Sequence, residues 1–232
     1  ALITALPDDG MVAVNADDEH AGVWRAAAGA RFVRDFGRRA RADVTARHEG
    51  RSDGIAVVIR LPEATASAVL HIPGEHNVSN ALAAAAATSL AGVPADAIAR
   101  GLTLFRPAKG RLQTLRGSHG AQVIDDTYNA NPDSVRAAID VLSGCAAPTL
   151  LALGDMGEVG ERGPEFHREV GAYARDQGVS ELLALGELAS QAVSGFGEGA
   201  RLAKDRAADA LSKVMVREAL DFVASAEHAD RL

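Results

Sequence analysis

Three observations predict an α/β fold in two parts, the second built on an open, doubly wound and mostly parallel sheet. After residue 110, segments of strand and helix character alternate regularly, the pattern of parallel strands joined by right-handed crossovers. Between residues 43 and 72, two extended runs flank the turn region Pro62-Glu63-Ala64-Thr65 and read as an antiparallel pair. Between these regions, Arg106-Pro107-Ala108-Lys109-Gly110 gathers proline, glycine and charge, the composition of a domain boundary. The 232 residues therefore divide into 1–106 and 107–232.

Gly10-Met11-Val12-Ala13-Val14-Asn15-Ala16 is a short β-rich run of buried-strand type. Asp17-Asp18-Glu19 then opens a helix through about Ala28, its acids suited to the helix dipole. Residues 31–36 form a second strand closed by Gly37, and the antiparallel pair covers residues 54–59 and 66–72. Two helices follow, over 77–90 and 94–105, the latter with proline near its first turn. Beyond the boundary, strands are expected at 121–125, 149–153 and 181–185, with a small one at 202–203. Helices are expected at 132–142, 163–177, 187–193 and 206–226. Ligands of such a sheet gather at the carboxyl ends of its strands.

Composition excludes several classes. With 47% hydrophobic residues and 24% charged, the chain can build ordinary cores. Twenty-four basic against 31 acidic residues give a formal charge of −7, which argues against nucleic acid as partner. Cys145 is the single cysteine, so an internal disulfide and a thiolate metal cluster are excluded, and it reads as structural. The opening residues lack a basic region followed by an apolar stretch, and the alanine-rich run 81–93 is too short for a bilayer span of about 20 residues. A soluble, cytoplasmic chain with no membrane partner is expected. It opens as a fragment would, inside a helix-to-strand connection.

Four stretches carry candidate chemistry. In Val123-Ile124-Asp125-Asp126-Thr127-Tyr128-Asn129-Ala130-Asn131-Pro132, a strand ends in two carboxylates and a helix begins with Asn131 as N-cap and Pro132 at its first position. A carboxylate there suits a ribose diol and Tyr128 offers a flat face to a base; a capped turn explains the same residues. Adjacent acids repel, so placing both there without a ligand or cation is costly. In Gly74-Glu75-His76-Asn77-Val78-Ser79-Asn80, the two asparagines share a helical face and their carboxamides can read an adenine edge; capping by Asn77 beside a surface Asn80 is the plainer account. Arg111, after Lys109-Gly110, can reach a phosphate or be a solvated linker residue. Finally, Leu153-Gly154-Asp155-Met156-Gly157-Glu158-Val159-Gly160 again ends a strand in glycine and acid, with His167 following as a ligand residue or an ordinary helix-face histidine. None of the three lysines (Lys109, Lys204, Lys213) follows a glycine, so the chain has no Gly-x-x-x-x-Gly-Lys phosphate cradle.

Taken in order, these stretches resemble the Mur ligase family. The likeness runs through Val14-Asn15-Ala16-Asp17-Asp18, Phe36-Gly37, Ala42-Asp43-Val44, His76-Asn77-Val78-Ser79-Asn80-Ala81 and Gly110-Arg111. Most specific are Asp125-Asp126-Thr127-Tyr128-Asn129-Ala130-Asn131 and Gly154-Asp155-Met156-Gly157-Glu158-Val159-Gly160, where valine stands for the usual leucine. These two mark the branch that adds D-alanyl-D-alanine. The resemblance implies a partial central ATPase domain in 1–106 followed by a Rossmann-like C-terminal ligase domain in 107–232. It implies ATP-dependent amide formation between UDP-N-acetylmuramoyl-tripeptide and D-alanyl-D-alanine through an acyl phosphate, in a monomer. His76, Asn77 and Asn80 would then face adenine, Tyr128 would pack beside it, and Asp126 would hold the ribose. Arg111 would meet the phosphates once the domains close, with Arg111 and Asp155 as catalytic residues. Asn129, Asn131 and Glu158, together with Asp155, would serve the acceptor dipeptide and its amine. The P-loop and the Mg2+ ligands are expected upstream of Ala1, and no metal ligand is assigned within the chain. The family's late Val-Lys-Gly-Ser strand is not evident, although Leu211-Ser212-Lys213-Val214 is a candidate remnant. The chain by itself is therefore expected to be inactive. A non-catalytic α/β module that binds a nucleotide or protein partner is the alternative, and a related ligase for folate or another amide is a third reading.

Overall fold

The computed structural model describes residues 2–51, 54–117 and 120–203. It divides into two compact units, Ala1–Arg106 and Pro107–Leu232. The expected helix at 206–226 and the segment Leu211-Ser212-Lys213-Val214 lie outside the described residues.

In the first unit, β1 (Met11–Asn15) and β2 (Phe32–Phe36) pair in parallel, with Met11 opposite Phe32. Between them runs α1 (Ala21–Ala28), whose Ala21 and Ala28 close a small core with Val12 and Val14. The helix starts later than its acids suggest. Asp18 accepts the His20 N–H through Oδ1 at 2.7 Å, and Asn15 accepts that of Asp17 at 3.1 Å; such side-chain-to-backbone bonds compete with helix and hold a turn.

The antiparallel pair is a three-stranded meander: β3 (Thr45–Arg51), β4 (Gly54–Arg60) and β5 (Thr65–Leu70). Ile55, Val57 and Ile59 on β4 and Ala66, Ala68 and Leu70 on β5 are buried, the alternation of a half-covered antiparallel sheet. Strand β3 carries no apolar alternation and is largely exposed; it forms because β4 offers it a ladder, Thr45 opposite Arg60 through Arg51 opposite Gly54. Helix α2 (His76–Leu90) packs against β1 and β2, burying Val78, Ala81, Leu82, Ala85 and Ala86. Helix α3 (Ala95–Leu104), with Pro94 as its N-cap residue, packs on β5.

The second unit begins with a feature absent from the sequence reading. β6 (Gln113–Arg116) pairs antiparallel with β7 (Gln122–Asp125), so the strand expected at 121–125 belongs to a hairpin-like pair. After α4 (Pro132–Ser143), the parallel sheet comprises β8 (Leu150–Gly154), β9 (Glu181–Leu185) and β10 (Ala200–Leu202), with β9 central. Helices α5 (Gly163–Asp176) and α6 (Ser190–Phe196) connect these strands. Val135 and Ile139 of α4, Val170 and Ala174 of α5, Leu182 of β9 and Phe196 of α6 share one core.

Helices α5 and α6 meet backbone to backbone. A Cβ at Gly171 would fall well inside contact distance of the Ala192 carbonyl oxygen, and one at Gly195 inside that of the Arg168 carbonyl oxygen. Glycine is required at both crossing points. No helix among the described residues is long and apolar enough to cross a membrane.

Candidate functional site

In the first unit the candidate residues cluster at the start of α2. Asn77 does not cap the helix, which begins at His76 with Glu75 as an N-cap residue that makes no side-chain cap bond. Instead Asn77 is buried, and its Nδ2 donates to the Pro73 carbonyl oxygen at 2.7 Å and approaches His76 Nε2 at 3.0 Å. Asn80 donates in turn from Nδ2 to Asn77 Oδ1 at 3.0 Å. The carboxamides are thus aligned by each other. Asn80 is exposed, and its Oδ1 makes no hydrogen bond among the described residues.

Residues without a sequence-assigned role hold this helix start. Asp17, just past β1, accepts the backbone N–H groups of Arg38 (2.6 Å), Arg39 (3.0 Å) and Ala40 (2.7 Å). Burial pushes the Asp17 carboxyl up, but those amides and the Arg39 charge outweigh it and hold the group below its ordinary 3.8. Arg38 then pairs with the Glu75 carboxylate and donates to the Glu75 carbonyl oxygen, with His48 beside the same carboxylate at 3.6 Å. The Arg38 hydrogen bond and charge hold Glu75 below its ordinary 4.5. The strings around Asp17 and Gly37 were visible in the sequence; only the fold shows what they grip.

In the second unit, two stretches separated in sequence come together. The β6–β7 register sets Gln113 opposite Asp125, which brings residues 110–112 beside residues 126–128. Tyr128 N–H donates to the Gly110 carbonyl oxygen at 2.9 Å, and Leu112 N–H donates to Asp126 Oδ1 at 3.0 Å. Leu112 has φ +51°, a left-handed conformation uncommon for leucine. The Arg111 guanidinium carbon stands 4.0 Å from the Tyr128 ring centroid, and Tyr128 is 67% exposed. Asp125 accepts the Thr127 N–H at 3.2 Å and its hydroxyl at 2.7 Å. Donors to both acids answer the repulsion between them. Asn131 caps α4 in a reciprocal capping box with Ser134, with Pro132 opening the helix.

The loop after β8 is differently occupied. Asp155 Oδ1 accepts the Ala189 N–H at 2.7 Å, at the start of α6. This bond explains why α6 begins three residues later than the sequence suggests. Gly186, at φ +124°, leaves the space that this carboxylate fills. Glu158 is exposed with φ +56°. His167 is fully buried. Asn129 accepts the neighbouring Ala130 N–H at 2.9 Å. Among the described residues, no hydrogen bond joins Asn129, Asn131, Asp155 or Glu158 to one another. Nor do the described residues place three or more His, Cys, Asp or Glu where they could hold a metal ion.

The chain is similar to the UDP-N-acetylmuramoyl-tripeptide–D-alanyl-D-alanine ligase of Escherichia coli, at 32% identity over 219 residues, 94% of this chain and 48% of that protein. It is similar in structure to a crystallised MurF from Acinetobacter baumannii, with TM-score 0.80 and 30% identity over 87% of this chain and 44% of the other. A MurF ligase from Thermotoga maritima, crystallised with ADP, shares the fold at TM-score 0.74 and 19% identity, over 88% of this chain and 46% of that one. The chain spans about half the length of the relatives it matches. The Mur ligase middle domain matches residues 1–88, and the Mur ligase, glutamate ligase domain matches residues 110–231, more than half of the 232. On that match, the chain belongs to the Mur ligase family.

Proposed function

We propose that the chain carries the base-reading and ribose-holding parts of an ATP-dependent ligase. In this reading the ligase joins D-alanyl-D-alanine to UDP-N-acetylmuramoyl-tripeptide in the cytoplasm, as a step of peptidoglycan synthesis. The observation that carries the reading is the convergence of Arg111, the half-buried Asp126 and Tyr128 from separate stretches into one cluster. A flat ring, a carboxylate and a guanidinium side by side match the base, diol and phosphates of a nucleotide. The name of the Escherichia coli relative supplies the two other substrates.

In the first unit, the Asn77–Asn80 pair presents a carboxamide with an open acceptor to the adenine amino group, with His76 alongside. Taken by itself, the second unit offers Tyr128 as a stacking face for a base, Asp126 as an acceptor for ribose hydroxyls and Arg111 as countercharge for phosphates. The γ-phosphate passes to the terminal carboxylate of the tripeptide and ADP departs. The acceptor amine attacks the resulting acyl phosphate, and inorganic phosphate leaves as the amide forms. Asn129, Asn131 and Glu158 serve the acceptor, Glu158 by pairing with its ammonium before deprotonation. Asp155 fixes the loop that carries Glu158. Among the described residues no group of three or more His, Cys, Asp or Glu is placed to hold a metal ion, and no step here is assigned to magnesium.

The test is ATP consumption by the full-length protein with each substrate alone and with both. Turnover that requires UDP-N-acetylmuramoyl-tripeptide and D-alanyl-D-alanine together is expected. ATP consumption indifferent to the dipeptide, or driven by a folate acceptor, overturns the assignment.

A further inference from the structure

Among the described histidines, His167 is the one with no exposure, at 0%, and the reaction above leaves it without a task. A buried imidazole is tolerated where both ring nitrogens are hydrogen-bonded. Nδ1 lies 2.7 Å from the Gly163 carbonyl oxygen, which can only accept, and Nε2 receives the Met156 N–H at 2.9 Å. These partners admit one state of the ring, neutral with its proton on Nδ1. Met156 is 1% exposed and lies in the loop after β8, outside any strand or helix. Without the ring its amide would be an orphan donor.

The same loop is fastened at Asp155 by the Ala189 amide, and Val159 packs against Gly163 at the start of α5. Glu158, between these fasteners, holds φ +56°, a strain that persists only where the surroundings impose it. Its carboxylate makes no hydrogen bond or ion pair among the described residues. A strained, unbonded carboxylate between pinned flanks is built for presentation.

We propose that His167 is a positioning residue. Through the Met156 amide it holds residues 155–160 in the shape that presents Glu158. On the ligase reading above, it thereby sets affinity for the amine-bearing acceptor without touching it.

Two variants of the full-length protein separate this role from core filling. His167→Gln returns an oxygen to the place of Nε2 and keeps an acceptor for Met156. His167→Asn keeps a donor toward Gly163 and loses that acceptor. Amide exchange in residues 155–160 is expected to quicken at least about tenfold in H167N and to stay near the parent rate in H167Q. The KM for D-alanyl-D-alanine is expected to rise about five- to twentyfold in H167N, with the KM for ATP unchanged. Equal behaviour of the two variants, or unchanged exchange in H167N, overturns the proposal. Should neither variant fold, ring 15N shifts of the parent protein decide, since a proton on Nε2 contradicts the bonding that the role requires. If the parent protein shows no dipeptide-dependent turnover, the ligase reading falls and the acceptor part with it, while exchange still decides the anchoring of the loop.

Discussion

Asp126 serves two partners with one carboxylate: its Oδ1 accepts the Leu112 N–H, and the proposed ribose needs acceptors as well. The two demands can be separated. Asp126→Ala is expected to weaken ATP binding by about 1–3 kcal/mol, whereas Asp126→Asn keeps one acceptor, for Leu112, and loses the charge and the second acceptor oxygen. Titration calorimetry on both variants checks this, and unchanged affinity in Asp126→Ala removes the residue from the site. Asp17 yields a pH prediction. Its carboxyl is held below 3.8 in the fold, so its stabilisation is complete above that value and lost as pH falls through the lower folded one. Asp17→Asn should therefore unfold at lower temperature than the parent at pH 7, with the gap narrowing toward pH 3. Thermal melts across that range measure it, and a gap independent of pH would contradict the assignment. Some residue roles could be read in advance: Asn131 before Pro132 announces its cap, which the fold contains. Others could not, since Asp17 grips amides more than twenty positions away that no local pattern reveals.

At the scale of elements, legibility followed hydrophobic periodicity. β1, β4 and α2 carry apolar spacing strong enough to be read directly. β3 and β6 do not, because they are short, polar and exposed, and they exist through pairing with a neighbour. β6 also changes the meaning of β7, whose ladder partner is antiparallel where alternation suggested a crossover. The α5–α6 crossing was equally hidden, since glycines inside a helical pattern read as weak points. Gly171→Ala and Gly195→Ala should each destabilise the second unit by about 1–3 kcal/mol or more. The double variant should cost less than the sum, because one outward shift of α6 relieves both collisions. Denaturant unfolding of the three variants measures this, and full additivity would mean that the two contacts are independent.

For the whole chain, the family is set by ordered motifs and the domain match, while the proposed ligase chemistry calls for a phosphate cradle that these 232 residues do not contain. With no lysine following a glycine, the chain has no P-loop lysine of its own. The isolated chain is accordingly expected to turn over no ATP with both substrates present, measured by phosphate release; turnover would show that another cation replaces that lysine. The formal charge of −7 also repels an anionic nucleotide at long range, which leaves local cations to receive it. Arg111 lies over the ring of Tyr128. On the proposed reading, a purine that takes that face evicts the guanidinium, and the freed cation turns to the incoming triphosphate. Docking of the base and delivery of the countercharge then become a single exchange, in which neither partner of the resting stack leaves without work to do.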